Sequence, residues 1–242
     1  MPNFLTAHWN NLIMANYKVD PALLRDHLPA QTELDLYNGD CYVSLVGFMF
    51  EETAVRGIKF PFHVNFEEVN LRFYVRYNDH GIWKRGAVFI KEIVTKRMIS
   101  FVANTLYKEN YITLPMKHHY IVKDSEIDCG YHWKYAGNWM RLEVVAEKDP
   151  VAIVPGSKEE FIAEHYWGYS RYNKLTTFEY GVAHESWLIH AVKHCHIECD
   201  FAKLYGTVFA VLDNARPNSV FLAKGSAISV SGKRKLRVVD LH

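Results

Sequence analysis

The sequence predicts an α+β domain built mainly on antiparallel sheet. Much of the chain falls into short segments in which apolar and polar side chains alternate, the period of a half-buried strand. Several of these segments are separated by tight-turn residues, Asn38-Gly39, His80-Gly81 and Ala136-Gly137-Asn138. Only a few windows carry the three- and four-residue spacing of an amphipathic helix. No repeat, low-complexity tract or linker interrupts the 242 residues, so a single domain over residues 1–242 is expected.

The elements follow in order. A strand is expected in AHWNNLIMANYKV, then a brief helix in DPALLRDHLP, where Asp20 can cap and Pro21 suits the first turn. TELDLY and CYVSLVGFMF flank Asn38-Gly39, which tolerate positive φ, and predict a hairpin. EETAVRGIKFPFHVN, broken by Gly57 and Pro61, predicts a loop that could act as a flap. FEEVNLRFYVRYND and GAVFIKEI predict a second hairpin. Met98, Phe101, Val102, Thr105 and Leu106 share one helical stripe, and strands follow from about Ile127 to Tyr135 and from Trp139 to Glu147. Ser157 with Glu160 forms a capping box before a helix carrying Phe161, His165 and Tyr169. FEYGVAHESWLIHAVKHCHIEC reads as strand, DFAKLYGTVFAVLD as helix capped by Asp200, and SVFLAKGSAISVSG as the strand that closes the sheet.

Composition removes several function classes. Twenty-eight basic against 27 acidic residues give a net charge of +1, without the excess that drives nucleic-acid binding. Apolar runs such as Val43 to Phe50 fall short of the roughly 20 residues of a membrane helix. The opening residues lack a signal peptide's basic start and apolar segment, so a cytoplasmic protein is expected. Cys41, Cys129, Cys195 and Cys199 show no disulfide framework and are expected to be reduced. Gly-rich phosphate loops, G-x-S-x-G, H-E-x-x-H and paired C-x-x-C motifs are missing. Nicotinamide, nucleotide and standard zinc-hydrolase chemistry lose support, and no cofactor is expected.

The most informative local pattern is Glu68 to Val75. Alternation places Glu68, Asn70, Arg72 and Tyr74 on one face and Val69, Leu71, Phe73 and Val75 on the other. The polar face either meets water, with Glu68 and Arg72 a surface pair worth roughly 0–1 kcal/mol, or lines a cavity where Arg72 presents a fork to a carboxylate. Lys117, after the Pro115 turn and beside His118 and His119, is a candidate imine-forming amine. His184, three residues before Trp187, is a candidate base or ligand-orienting donor. In HAVKHCHIEC, alternation separates the cysteines from the histidines and leaves His194, His196 and Glu198 as a same-face trio able to chelate; no metal is assigned there.

Taken in order, these segments resemble the YqjF-like bacterial family known as domain of unknown function 2071. HWNNLIMANYKVDPALLRDHLP with DLYNGDCYVSLVGF looks like its opening, EEVNLRFYV like its E-x-N-x-R strand, and RGAVFIKEI like the strand after it. TLPM resembles its Leu-Pro turn, GSKEEFIAEHYWGY its capped helix, and HESW its His-x-Pro-Trp element, with Ser186 in place of proline. That family is similar in turn to the acetoacetate decarboxylase-like superfamily. The resemblance implies a mostly antiparallel, cone-shaped β-barrel with flanking helices around a central cavity. It also turns the polar face of Glu68, Asn70 and Arg72 inward, and these three with Tyr74 and His184 are the candidate ligand-binding residues. The decarboxylase pattern carries Pro-Lys-Lys, the first lysine forming a Schiff base and the second lowering its pKa. Here Pro115-Met116-Lys117 sets Met116 at the nucleophile's place; a one-residue shift would bring in Lys117, the catalytic candidate. The expected function is binding of a small acidic or carbonyl-bearing metabolite, with enzymatic status open. Alternatives are a Schiff-base lyase or hydrolase acting on small oxo-acids, and a non-catalytic metal module near His194. The expected partner is a small molecule, with no nucleic acid or membrane and a homo-oligomer left open.

Overall fold

The computed structural model describes residues 3–237. Its strands are β1 (Asn3–Val19), β2 (Glu33–Leu34), β3 (Cys41–Val55), β4 (Phe66–Asp79), β5 (Ile82–Val94), β6 (Tyr111–Thr113), β7 (Met116–Val122), β8 (Glu126–Tyr135), β9 (Asn138–Glu147), β10 (Val151–Ala152), β11 (Trp167–Asn173), β12 (Thr176–His184), β13 (Leu188–Glu198), β14 (Ser219–Ser231) and β15 (Arg234–Arg237). Helices α1 (Arg97–Leu106), α2 (Lys158–Ala163) and α3 (Phe201–Tyr205) and 3-10 turns at Pro21–His27 and Thr207–Leu212 complete the set. No helix among the described residues is long and apolar enough to cross a membrane.

The strands pair in the order β12-β11-β5-β4-β3-β1-β14, and β14 returns to β12 through Val182↔Val230, Ala183↔Ser229 and His184↔Ile228. The sheet therefore closes in a ring. Its pairings are antiparallel apart from two on β5: β11, where Trp167 meets Gly86 and Gly168 meets Ala87, and the short β6, where Tyr111 meets Glu92. β14 also pairs with β13, from which β9, β8 and β7 extend a second layer.

Alternation along the strands builds two cores. Ile13, Ala15 and Tyr17 of β1, Val43 and Leu45 of β3, and Val69, Leu71, Phe73 and Val75 of β4 face out of the ring. There they pack with Ile127, Cys129, Tyr131 and Trp133 of β8 and Leu142 and Val144 of β9. The opposite faces, with Leu12, Met14, Val46, Phe48, Phe50, Phe66 and Tyr74, form the inner core with Phe161 of α2 and Trp187. The layers approach closely at Gly47, where an added Cβ would stand 2.7 Å from the Tyr131 ring. Tyr131 then donates its hydroxyl to the Asn11 carbonyl at 2.9 Å.

Several expectations hold, and others are corrected. The hairpin at His80-Gly81 forms with both residues at positive φ, as does the turn at Ala136-Gly137. Asp20 caps its 3-10 turn, Ser157 accepts from Glu160 N at 3.1 Å, and Asp200 accepts from Lys203 N at 2.9 Å. All four cysteines are free. The turn at Asn38-Gly39 also forms, but only Tyr37 and Asp40 bridge across it. Glu33 and Leu34 instead pair with Arg76 and Val75 of β4, because β1 and β4 already occupy both edges of β3. The helix expected to carry Phe161, His165 and Tyr169 ends at Ala163, and Tyr169 lies on β11, where it closes the ring.

Candidate functional site

Inside the ring is a cavity of about 490 Å³. Its wall is largely apolar, with Trp9, Phe48, Phe50, Phe66 and Trp187 from the ring and Met98, Ile99, Val102, Ala103 and Leu106 from α1. Of the stripe expected on α1, Met98, Val102 and Leu106 face the cavity, whereas Phe101 is 70% exposed and lies outside its wall. The loop expected to act as a flap contributes Arg56, Phe60 and His63 to the same wall.

β4 delivers Glu68, Asn70 and Arg72 into this cavity, because its odd-numbered apolar residues are committed to the outer core. Asn70 donates to Glu68 Oε1 at 2.9 Å, and the Tyr111 hydroxyl donates to Glu68 Oε2 at 3.0 Å. Two further carboxyls join. Glu92 is paired in register with Asn70 on one side and Tyr111 on the other, and its Oε2 has no hydrogen-bond partner among the described residues. Glu109 accepts from the Tyr180 hydroxyl at 2.6 Å. Tyr180 reaches it by folding over Gly168, its cross-strand partner; a Cβ there would lie 2.1 Å from Tyr180 Cζ.

Loss of hydration raises all three carboxyls toward the neutral form. Glu68 rises to about 7, with the Asn70 and Tyr111 hydrogen bonds and the Arg72 charge acting in the opposite sense. Glu109 rises to about 8, with Tyr180 opposing and the nearby Glu68 adding to the rise. Glu92 is pushed well above the usual carboxylate range by burial and then by Glu109 and Glu68.

Arg72 is the complementary charge. It is only 8% exposed, yet its Nη2 has a single long contact, 3.5 Å to the Ile162 carbonyl, and its Nε has no partner. Among the described residues it forms no ion pair. A buried guanidinium in this state retains unmet donors on the cavity side.

Two histidines frame the site. His165 Nε2 lies 3.2 Å from Asp35 Oδ2, and Asp35 also accepts from Arg85 Nε at 2.6 Å. Burial lowers the His165 pKa to about 4, although Asp35 favours the charged form. The ring is neutral, and with Nε2 donating to Asp35, its unpartnered Nδ1 is an acceptor. His184 stacks on Trp187 at 4.4 Å and lies 4.7 Å from Tyr166, with Nδ1 2.8 Å from the Glu185 carbonyl oxygen. Burial lowers its pKa as well.

Of the residues singled out from sequence, the structure brings Glu68, Asn70, Arg72 and His184 together. Tyr74 stands behind the wall: its hydroxyl is 2.7 Å from Ser44 Oγ, and its ring packs 4.5 Å from His165. Lys117 is not brought to the cavity. It is exposed on β7 with Nζ 4.7 Å from the Trp139 ring centroid, because the neighbouring Met116 takes the core-facing position and alternation turns Lys117 to the other face. No lysine lines the cavity among the described residues. His194, His196 and Glu198 are exposed on the outer layer, far from the ring interior in the pairing order. Sequence reasoning missed Glu92, Glu109, Tyr111, Tyr180 and His165.

The closed ring with its internal cavity has the fold of solved acetoacetate decarboxylase-like structures. Solved structures share the fold: an acetoacetate decarboxylase-like enzyme from Sphingomonas wittichii superposes with TM-score 0.68 at 12% identity, covering 99% of this chain and 95% of its own. The enduracididine biosynthesis enzyme MppR, complexed with pyruvate, superposes with TM-score 0.65 at 10% identity, covering 97% and 91%. Within that fold the chain belongs to the DUF2071 family of uncharacterised conserved proteins, whose model matches residues 6–227. It is 28% identical over 190 residues to the uncharacterised protein YqjF of Bacillus subtilis, covering 75% of this chain and 73% of that one.

Proposed function

We propose that the protein acts in the cytoplasm and binds a small carboxylate- or carbonyl-bearing metabolite inside the ring. The observation that carries this reading is Arg72, a buried cation that lines the cavity and forms no ion pair among the described residues. A planar guanidinium meets a carboxylate through two parallel hydrogen bonds. Glu68, Glu92 and Glu109, held toward the neutral form, do not repel an anion as carboxylates would, and a carboxylic acid can donate to a carbonyl oxygen. The aromatic wall accepts the apolar body of the ligand. That MppR of the same fold was solved with pyruvate, an oxo-acid, is in keeping with this chemistry.

Thermal shift across carboxylates including acetate, pyruvate, acetoacetate and longer-chain and aromatic acids tests the reading. Native mass spectrometry of gently purified protein complements it. A subset of acids raises Tm, and the rise disappears in Arg72→Ala; equal shifts in that variant overturn the role given to Arg72.

One observation favours a second reading, an enzyme that moves a proton on the bound molecule. Glu68, at about 7, can take up or release a proton at neutral pH, and the Tyr111 hydroxyl, itself raised by burial, serves as its hydrogen-bond donor at 3.0 Å. Exchange of the methyl protons of pyruvate in deuterated water, followed by NMR, checks it; exchange unaltered by Glu68→Gln excludes Glu68 as the base. Imine chemistry is not carried forward, since Lys117 lies outside the cavity.

A further inference from the structure

We propose that the outer face of the β7-β8-β9-β13 layer is a zinc site, formed by His119, His132 and Glu143 with His196 as a fourth ligand. One ligand atom from each of the first three lies within 4.8 Å of the others. Strand register builds this cluster. His119 opposes Gly130, Gly130 opposes Glu143, and Glu143 opposes His196, so one row crosses four strands. His132 stands two residues from Gly130 on the same face of β8.

Gly130 makes the cradle. A Cβ at that position would fall 2.4 Å from His119 Cε1 and 2.9 Å from Glu143 Cγ. Any larger residue would force the imidazole and the carboxylate apart. Both outer histidines are also oriented by carboxylates: His119 Nε2 is 3.0 Å from Asp128 Oδ1, and His196 Nε2 is 3.0 Å from Glu198 Oε1. Nδ1 of each ring is left to coordinate, and His196 Nδ1 already lies 3.6 Å from Glu143 Oε2. His132 Nε2 is 2.6 Å from Glu143 Oε1. A carboxylate fixing the far nitrogen is the usual support of a metal-ligating imidazole. Three imidazoles and one carboxylate are a borderline donor set, which suits tetrahedral zinc. The bound ion would tie β7, the edge of the layer, to its three neighbours.

This set differs from the trio His194, His196 and Glu198 suggested by alternation along β13. There Glu198 orients His196, and His194 opposes Val145 rather than Glu143.

Tag-free protein titrated with zinc chloride against a chromophoric chelator tests the site. The expected result is one zinc per chain, with a rise in Tm that chelation by EDTA reverses. Binding is lost in His132→Ala and His119→Ala, weakens about ten- to hundredfold in Asp128→Asn, and is unchanged in His194→Ala. Absence of stoichiometric zinc, or binding by both histidine variants as tight as that of the unsubstituted protein, overturns the proposal. Should those variants fail to fold by circular dichroism, His196→Ala on the exposed strand decides: undiminished affinity counts against the fourth ligand, and Gly130→Ala with undiminished affinity counts against the cradle.

Discussion

Tyr111 donates its hydroxyl to Glu68 Oε2 at 3.0 Å, joining β6 to the central polar strand inside the cavity. The bond stabilises the ionised carboxylate and holds the Glu68 pKa below the value that burial alone would impose. Tyr111→Phe removes the donor without changing the ring's shape. A hydrogen bond to a charged group contributes about 1.5–3 kcal/mol, so the Glu68 pKa should rise by about one to two units. Carbon-13 NMR of the glutamate side chains across pH measures it; an unchanged titration shows that the bond does not form in solution.

Stability should fall as pH rises from about 5 to 9. The folded chain holds protons on Glu68, Glu92 and Glu109 that the unfolded chain releases near the ordinary glutamate value of 4.5. Their contribution is complete below that value and is lost as pH passes through about 7 for Glu68 and about 8 for Glu109. Urea unfolding at stepped pH measures the slope. Glu109→Gln, which cannot ionise, should flatten the upper part of the curve. A slope identical to that of the unsubstituted protein would remove Glu109 from the explanation.

The shared face of Glu68, Asn70 and Arg72 was legible because Val69, Leu71, Phe73 and Val75 take the other side of β4, but alternation alone left open whether that face met water or a cavity, and only the family resemblance turned it inward. The same rule fails on β5. Leu71 pairs with Lys91 but Arg72 pairs with Phe89, so Ile90 is an extra residue. That bulge lets both Phe89 and Glu92 face the cavity, against simple alternation. Glu109 and Tyr111 follow Lys108 at φ 59°, in a stretch without periodicity. Tyr180 reaches the site only because Gly168, twelve residues earlier, leaves space for its ring, and the parallel contact of β11 with β5 that closes the ring has no local signature.

Gly168→Ala should destabilise the fold and release Glu109. The new methyl meets the Tyr180 ring at 2.1 Å, and that ring is held between its own strand and Tyr107, whose ring lies 5.2 Å away edge-on. Overpacking of this kind costs about 1–3 kcal/mol. Denaturant unfolding reads the loss, and Tyr180→Ala in the same chain should restore part of it by removing the clash. Additive losses from the two substitutions would mean that the ring is not what the methyl meets.

Arg72→Met should stabilise the ligand-free protein while abolishing acid binding. In the resting fold the guanidinium is taken out of water and, among the described residues, forms no ion pair and leaves its Nε without a hydrogen bond. Methionine fills similar length with apolar atoms beside Tyr74, whose ring lies 5.6 Å below the Arg72 Cζ. Replacing a poorly compensated buried charge by a packed apolar side chain stabilises by about 1–4 kcal/mol. The same change removes the fork that would meet a carboxylate. Urea unfolding of the free protein and thermal shift with the best-binding acid form one paired measurement. Higher ligand-free stability together with loss of the acid-induced shift is expected from a cation kept for a ligand. Lower stability in Arg72→Met would instead make Arg72 a structural residue and remove the main support for an anion site in the ring.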